Sequence, residues 1–369
     1  MRILQLLPEL KIGGVERGTV DLSHELVADN HVSGVVSAGG HLEESLRSHG
    51  AQHFNLPIAK KNFQALKQFR KLREIYTDFK PDIIHVRSRF PAWINFLALK
   101  NYSDIRPLVI STFHGLYSKP FYSKSMSYAD EIITISKTVN DYVLKNYHVN
   151  KENLHLIYRG CDLEEFNTSS VTEEWKKDWF DEFPQTKDKT LLTLPGRITG
   201  WKGIESFISL IKNLKGKNYH GLIPGPVSSN KKNYLNSLKK LVKKNDLESQ
   251  ITFCGARKDI ASIYKISAIV FNLSSKPEPF GRTIIEAAAC GTRVMGWNQG
   301  GFGESIDAIN PAGLIPFKDQ RALIEAIPAL IKEDCPQSIP EKFTKKYQAN
   351  QTIALYKQAL KDHRKSRIN

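Results

Sequence analysis

The sequence predicts an α/β protein of two domains, each built on a parallel sheet. Three observations carry that prediction. The 369 residues exceed what one ordinary core organises and suit two domains of roughly 150 to 200 residues each. Short apolar runs alternate with amphipathic stretches along the whole chain, the pattern of βαβ units. The alternation lapses once, over 168–189, into a charged stretch carrying Trp175 and Trp179 that reads as an interdomain connector.

In the first half the apolar runs predict strands at 3–7, 32–37, 52–56, 83–86, 108–112, 131–135 and 154–157, with helices in the gaps. One gap, 62–79, repeats Phe63, Leu66, Phe69, Leu72, Ile75, Tyr76 and Phe79 at helical spacing with Lys67, Arg70, Lys71 and Arg73 between them. Such a stripe either lies on a membrane surface or, more commonly, packs on its own sheet. Beyond the connector, strands are expected at 191–194, 219–223, 251–253, 268–273, 293–295 and 313–315, and the polar tail from Ile339 onward reads as helical. The domains are accordingly 1–167 and 190–350.

A hydrophobic content of 41% is enough for buried sheets, and no segment approaches the ~20 apolar residues of a membrane span. The first residues, with Pro8 and Glu9 ending a short apolar run, read as a strand rather than an export signal, so a cytoplasmic location is expected. The four cysteines, Cys161, Cys254, Cys290 and Cys335, lie far apart with no Cys-x-x-Cys pair, which argues against zinc and redox motifs. The net charge of +15 is uneven: 21 basic and 18 acidic residues occur through position 165, and 32 and 20 beyond it. That balance suits acidic partners such as nucleotide diphosphates or anionic lipid head groups. Nucleic acid is disfavoured, because the densest lysine run, Lys231 to Lys244, lacks interleaved aromatics beyond Tyr234 and reads as a solvated helix face.

The sharpest motif is Pro277-Glu278-Pro279-Phe280-Gly281-Arg282-Thr283, followed by Ile284, Ile285 and Glu286 and the run Ala287-Ala288-Ala289-Cys290-Gly291. The prolines keep Glu278 on a loop, and the alanine-rich run places Glu286 on a helix. Gly281 and Arg282 set bare N–H groups at that helix's start, where an anion such as a diphosphate is favoured. Carboxylates accept hydrogen bonds from hydroxyls, so the arrangement predicts a sugar-nucleotide site. Gly196, Arg197, Lys202 and Gly203 follow the first strand of the second half, and the two cations could converge on the diphosphate. Cys254 and Arg257, at the end of 251–253, are candidates to lie beside a nucleobase. In the first half, Gly13 and Gly14 open a helix and could let backbone approach a phosphate, a plain turn being the alternative. No Gly-x-Gly-x-x-Gly is present, which weakens a dinucleotide reading. His114 follows strand 108–112 at the edge where ligands of open sheets bind, although a lone histidine is more often structural. Arg87 and Arg89 end strand 83–86 and fit an anionic acceptor.

Taken in order, Gly13-Gly14-Val15-Glu16, His114-Gly115, Gly196-Arg197 with Lys202-Gly203, and Glu278 through Glu286 resemble the family-four retaining glycosyltransferases of GT-B fold. Phe113-His114-Gly115-Leu116-Tyr117 and Gly296-Trp297-Asn298-Gln299-Gly300-Gly301 look like the proteobacterial enzymes that assemble the lipopolysaccharide core. The resemblance implies two Rossmann-like domains with parallel sheets facing a central cleft, the first completed by a C-terminal helix, 351–369. It implies that Glu286 holds the ribose, that Glu278 and the backbone of Phe280, Gly281 and Arg282 hold the donor sugar, and that Arg197 and Lys202 hold the diphosphate; Thr283 is a further nucleotide-sugar-binding candidate. His114 would contact the transferred sugar near its reacting carbon. Arg87, Arg89 and Tyr117 are the acceptor candidates, a helix-start surface being the alternative for the two arginines. No metal or other cofactor is implied, which agrees with the absence of an Asp-x-Asp motif among the strand-end residues. Tyr158-Arg159-Gly160-Cys161-Asp162 departs from the usual Pro-Asn-Gly-Val-Asp but keeps its glycine and aspartate.

The expectation is a hexosyltransferase, monomer or weak dimer, moving a sugar from a nucleoside diphosphate to a glycolipid or oligosaccharide acceptor with retention of configuration. Lipopolysaccharide core or related cell-surface glycan synthesis is the expected setting. Contact with the anionic cytoplasmic face of the inner membrane is expected through Lys119, Lys124, Tyr117, Phe121 and Tyr122, an ordinary acceptor loop being the alternative. A sugar-nucleotide epimerase on the same fold and a non-catalytic nucleotide-sugar-binding protein are the alternatives for the whole chain.

Overall fold

The structure, a computed structural model, describes residues 1–11, 13–58, 67–117 and 120–365. The chain divides into two compact units, one formed by Met1–Tyr158 with Lys345–Asn369 and the other by Arg159–Thr344. Lys119 and positions 62–66 of the amphipathic stripe lie outside the described residues.

The first unit is built on seven strands: β1 (Arg2–Leu6), β2 (Val32–Ser37), β3 (Gln52–Asn55), β4 (Ile83–Val86), β5 (Leu108–Phe113), β6 (Glu131–Thr134) and β7 (Leu154–Leu156). They form one sheet in the order β3-β2-β1-β4-β5-β6-β7, every neighbour parallel. β4 and β5 are buried along their whole length, the pattern of strands covered on both faces, which is why they read as unbroken apolar runs. Each expected strand is present, with ends shifted by one or two residues. The described part of the stripe is the helix Phe69–Phe79, which buries Leu72, Tyr76 and Phe79. Its Tyr76 hydroxyl donates to Asn95 Oδ1 at 2.6 Å, so this face packs within its own unit.

The C-terminal helix runs Lys345–Lys365, starting six residues before the expected 351. Ala349, Ile353, Tyr356, Ala359 and Leu360 join a core with Ile3, Leu26, Ile83, Leu108, Ile110 and Ile133. Tyr356 is fully buried, and its hydroxyl lies 2.5 Å from His85 Nδ1, while His85 Nε2 lies 2.6 Å from Thr112 Oγ1. Burial, reinforced by the Arg87 charge, drives the His85 pKa well below 6.5, so the ring is neutral, with one N–H and one lone pair for its two partners.

The second unit contains β8 (Thr190–Thr193), β9 (Tyr219–Pro224), β10 (Ile251–Gly255), β11 (Ile269–Asn272), β12 (Arg293–Trp297) and β13 (Leu314–Ile315). They pair in parallel in the order β10-β9-β8-β11-β12-β13. The expected connector is instead part of this unit's core. Residues Glu173–Glu182 form a helix capped by Thr172, and Trp179 is buried among Leu191, Leu222, Cys254 and Ile263. Trp175, Trp179 and Phe183 recur every fourth residue, an apolar face that the surrounding charges obscured.

In both sheets the chain fills one side first and then returns to the other. The order reverses between β1 and β4 in the first unit and between β8 and β11 in the second. The carboxyl ends of strands at such a reversal leave a crevice where open α/β sheets bind ligands.

Candidate functional site

At the reversal in the second unit, the loop after β8 and the loop after β11 each lead through a glycine into a helix. Gly203 opens the helix Ile204–Asn213 with φ 76°, and Gly281 opens the helix Arg282–Ala289 with φ 77°, both left-handed. A Cβ at Gly203 would lie 1.9 Å from the Leu273 carbonyl, and one at Gly281 would lie 2.2 Å from Phe302 Cβ, so no other residue fits either position. Neither helix has a side-chain cap, so both N-termini present backbone donors and positive dipole ends.

The two loops are joined by charge. Lys202 Nζ lies 2.8 Å from Glu278 Oε1, and both side chains are largely buried. The same oxygen accepts from Asn272 Nδ2 at 3.1 Å and from the Ser274 hydroxyl. Among the described residues Glu278 Oε2 accepts no hydrogen bond. The Lys202 ammonium also stands 4.7 Å over the Trp201 ring, and Ser275 N–H donates to the Trp201 carbonyl at 2.8 Å, tying loop to loop. Arg197, on the same loop as Lys202, is exposed and has no side-chain partner among the described residues.

Glu286, one turn beyond Arg282, is buried and paired with the Arg282 guanidinium. Burial lowers the Arg282 pKa, but the Glu286 carboxylate more than offsets this and holds the pKa above its ordinary value. Cys161 and Cys290 lie close enough for the Glu286 charge to act on them. Burial first, and that charge in addition, push both thiols up, Cys290 to about 12, so they stay protonated. Phe280 is buried against Phe343, whereas Thr283 is half-buried. Among the described residues no three His, Cys, Asp or Glu side chains cluster as a metal centre requires.

Sequence reasoning thus named Lys202, Glu278, Gly281, Arg282 and Glu286, and the fold gathers them at one sheet reversal. It missed Asn272 and Ser274. Their signal was a polar residue closing the apolar strand Ile269–Asn272, followed by two serines.

Two other nucleotide candidates belong elsewhere. Cys254 is in the core beneath Trp179, its pKa raised to about 12 by burial. Arg257 is locked: Nε and Nη2 donate to Asp259 at 2.9 and 2.8 Å, and Nη1 to both Glu182 oxygens at 3.0 and 2.8 Å. Its guanidinium also faces the Trp179 and Phe183 rings, fastening the helix Glu173–Glu182 to its unit. Four of the five N–H donors of that side chain are thus committed to Asp259 and Glu182.

In the first unit, Gly13 is extended, and a Cβ there would sit 2.0 Å from Glu16 Oε2. The helix Gly14–Ala28 therefore brings its own carboxylate against the glycine, where a phosphate was expected. Arg87, expected to meet an acceptor, is buried and donates to Gln5 Oε1 at 3.1 Å. Gln5 in turn donates to the Thr19 carbonyl and Ser23, so Arg87 joins sheet to helix. Arg89 stands 4.7 Å from the Tyr117 ring and 5.1 Å from that of Tyr122. His114 follows β5 half-buried, and its backbone N–H donates to the Tyr117 hydroxyl at 3.2 Å.

Comparison with known proteins matches residues 12–165 to Glycosyltransferase Family 4 and residues 176–350 to Glycosyl transferases group 1. A crystal structure of a glycosyltransferase from Rickettsia africae is 28% identical, covers 97% of this chain and 98% of its own, and superposes with a TM-score of 0.85. An uncharacterised glycosyltransferase of Methanocaldococcus jannaschii is 25% identical over 96% of each chain. HepE of Anabaena, solved with UDP and glucose, is 19% identical over 97% of this chain and all of its own, at a TM-score of 0.79, and shares the fold. With a family 4 half followed by a group 1 half, and a parallel sheet in each unit, this chain belongs to the glycosyltransferases of GT-B fold.

Proposed function

We propose that the protein transfers a sugar from a nucleoside-diphosphate donor to a glycolipid-type acceptor, with retention of configuration and without a metal ion. The observation that carries this reading is the Lys202–Glu278 pair set beside two uncapped, glycine-opened helix N-termini at the β8/β11 reversal. A diphosphate needs cations and backbone donors, which Lys202, exposed Arg197 and the helix starts supply. A sugar needs hydroxyl acceptors, which Glu278 Oε2 and the backbone of Phe280 to Arg282 supply. Glu286 is assigned to the ribose hydroxyls, its other role being the pair with Arg282. Anabaena HepE has been solved in complex with UDP-glucose, which makes a UDP-sugar the first candidate.

In the reaction, the bond from the anomeric carbon to the diphosphate oxygen breaks and a bond to the acceptor oxygen forms on the same face. The acceptor proton passes to the departing diphosphate, whose growing charge Arg197 and Lys202 offset. His114 is assigned to the transferred sugar, and Arg89 with Tyr117 to the acceptor. Synthesis of lipopolysaccharide core or a related surface glycan rests on the residue resemblance. Contact with an anionic membrane is supported by Phe121, 82% exposed, beside Lys124. Among the described residues no helix is long and apolar enough to cross a membrane.

A thermal-shift panel of UDP-, GDP- and ADP-sugars tests the donor, because a ligand at 100 times its Kd adds about 2.7 kcal/mol of stability. Product mass analysis and NMR of the new linkage, with and without lipid acceptor, then test transfer and retention. Stabilisation by no nucleotide sugar would remove the reading, and rapid sugar interconversion without acceptor would replace it with an epimerase.

A further inference from the structure

Glu278 presents its two oxygens unequally. Oε1 takes Lys202 from the loop after β8, Asn272 from the last position of β11 and Ser274 from the loop that follows, whereas Oε2 takes no hydrogen bond among the described residues. Three donors converge on one oxygen, more than its two lone-pair directions, and fix the carboxylate plane. The arrangement is closed on itself. Ser274 is fully buried and Asn272 nearly so, and the Ser274 oxygen lies 2.7 Å from Asn272 Oδ1 as well as near Glu278. A hydroxyl has one proton, so it cannot donate to both. The carboxylate, which Lys202 also pairs, is the stronger acceptor and takes it, and Asn272 Oδ1 is satisfied by the Ser274 backbone N–H at 3.2 Å. This fixes the amide orientation of Asn272, with Nδ2 towards Glu278. The loop is held from outside as well, since Trp297 Nε1 donates to the Leu273 carbonyl at 3.1 Å and Gly301 N–H to the Glu278 carbonyl at 2.8 Å.

We propose that Asn272 and Ser274 are positioning residues that, with Lys202, occupy one oxygen of Glu278 so that the other is aimed at a single hydroxyl of the donor sugar. This deepens the function proposed above and rests on it. A carboxylate free to rotate would accept from hydroxyls in several positions. A pinned one accepts along a fixed direction and so distinguishes a hydroxyl that points that way from its epimer. The substrate class implied is a nucleoside-diphosphate hexose recognised at one ring hydroxyl through Glu278 Oε2. Asn272 and Ser274 need not touch the sugar themselves.

The test compares free UDP with the UDP-hexose that the panel selects, or the corresponding GDP or ADP pair. In Ser274→Ala and Asn272→Ala, affinity for the free nucleoside diphosphate stays within about twofold of the parent. Affinity for the nucleotide sugar and kcat/KM fall about tenfold or more, the size of a lost hydrogen bond to a charged group. Discrimination against the epimeric nucleotide sugar narrows in both variants, and Ser274→Thr, which keeps the hydroxyl, restores it. A purely structural role would weaken nucleotide and nucleotide sugar alike. The proposal is overturned if Ser274→Ala melts like the parent and retains its nucleotide-sugar affinity and epimer preference. Should Asn272→Ala fail to fold, Ser274→Ala decides alone. If the parent binds free nucleoside diphosphate but no nucleotide sugar, or neither, the functional reading fails and this inference falls with it.

Discussion

Arg257 and Lys202 show how two cations of the same unit, each following a strand, reach opposite ends. Arg257 meets two carboxylates and two aromatic faces, and its fixed fork makes four hydrogen bonds to Asp259 and Glu182. Lys202 meets one carboxylate through an ammonium with three donors, so capacity for a phosphate remains. Replacement therefore separates them. Arg257→Ala should cost about 1–3 kcal/mol in urea unfolding, by leaving Asp259 and Glu182 without their shared cation, while kcat/KM stays within about threefold. Asp259, two positions from Arg257, is a local partner, but the rest of each environment is remote. Glu182, Arg257's partner, lies 75 positions away, and Glu278, Lys202's partner, lies 76.

At the scale of elements, local pattern misread the helix Glu173–Glu182 as a connector, whereas the tail read as helical is the helix Lys345–Lys365, with its start placed six residues off the expected 351. Both are rich in charge, and both bury an aromatic residue completely, Trp179 and Tyr356. Helix period was present in each, but a polar majority hides a narrow apolar face until a sheet is there to receive it. Tyr356 adds a polar demand, because its hydroxyl satisfies one nitrogen of the buried, neutral His85. Tyr356→Phe keeps the ring and removes the partner, and should lower the unfolding free energy by about 1–3 kcal/mol, measured by chemical denaturation. The glycine-opened helices Ile204–Asn213 and Arg282–Ala289 were the legible elements by contrast, since left-handed backbone at Gly203 and Gly281 calls for glycine whatever the tertiary context.

For the whole molecule, the buried histidines set the response to acid. Burial holds His85 well below 6.5 in the first unit. In the second, burial together with Lys189 brings His220 to about 4. Below pH 6.5 the unfolded chain binds protons that the folded one refuses, so stability falls as the pH drops. For His220 the loss continues until about pH 4. Each such histidine steepens the dependence by up to about 1.4 kcal/mol per pH unit. Urea midpoints measured at pH 7.5, 6 and 5 should decline in that order, and His220→Gln should flatten the slope by about one proton. A midpoint that rises on acidification would contradict this assignment.

Alternating apolar runs and amphipathic gaps determined the thirteen strands of the described residues and their parallel pairing, because burying a sheet on both faces leaves a continuous trace in the chain. The Pro-Glu-Pro-Phe-Gly frame likewise declared a loop carboxylate and a helix start, through backbone restrictions that need no partner. Only the tertiary structure decided that Arg257 meets Glu182 and Arg87 meets Gln5, that Glu16 lies against Gly13, and that Asn272 and Ser274 stand behind Glu278. The reason is physical. Propensity and periodicity act over a few residues, whereas the partner of a charge or a buried polar group is set by strand order, which here brings β8 beside β11 across more than seventy residues of chain.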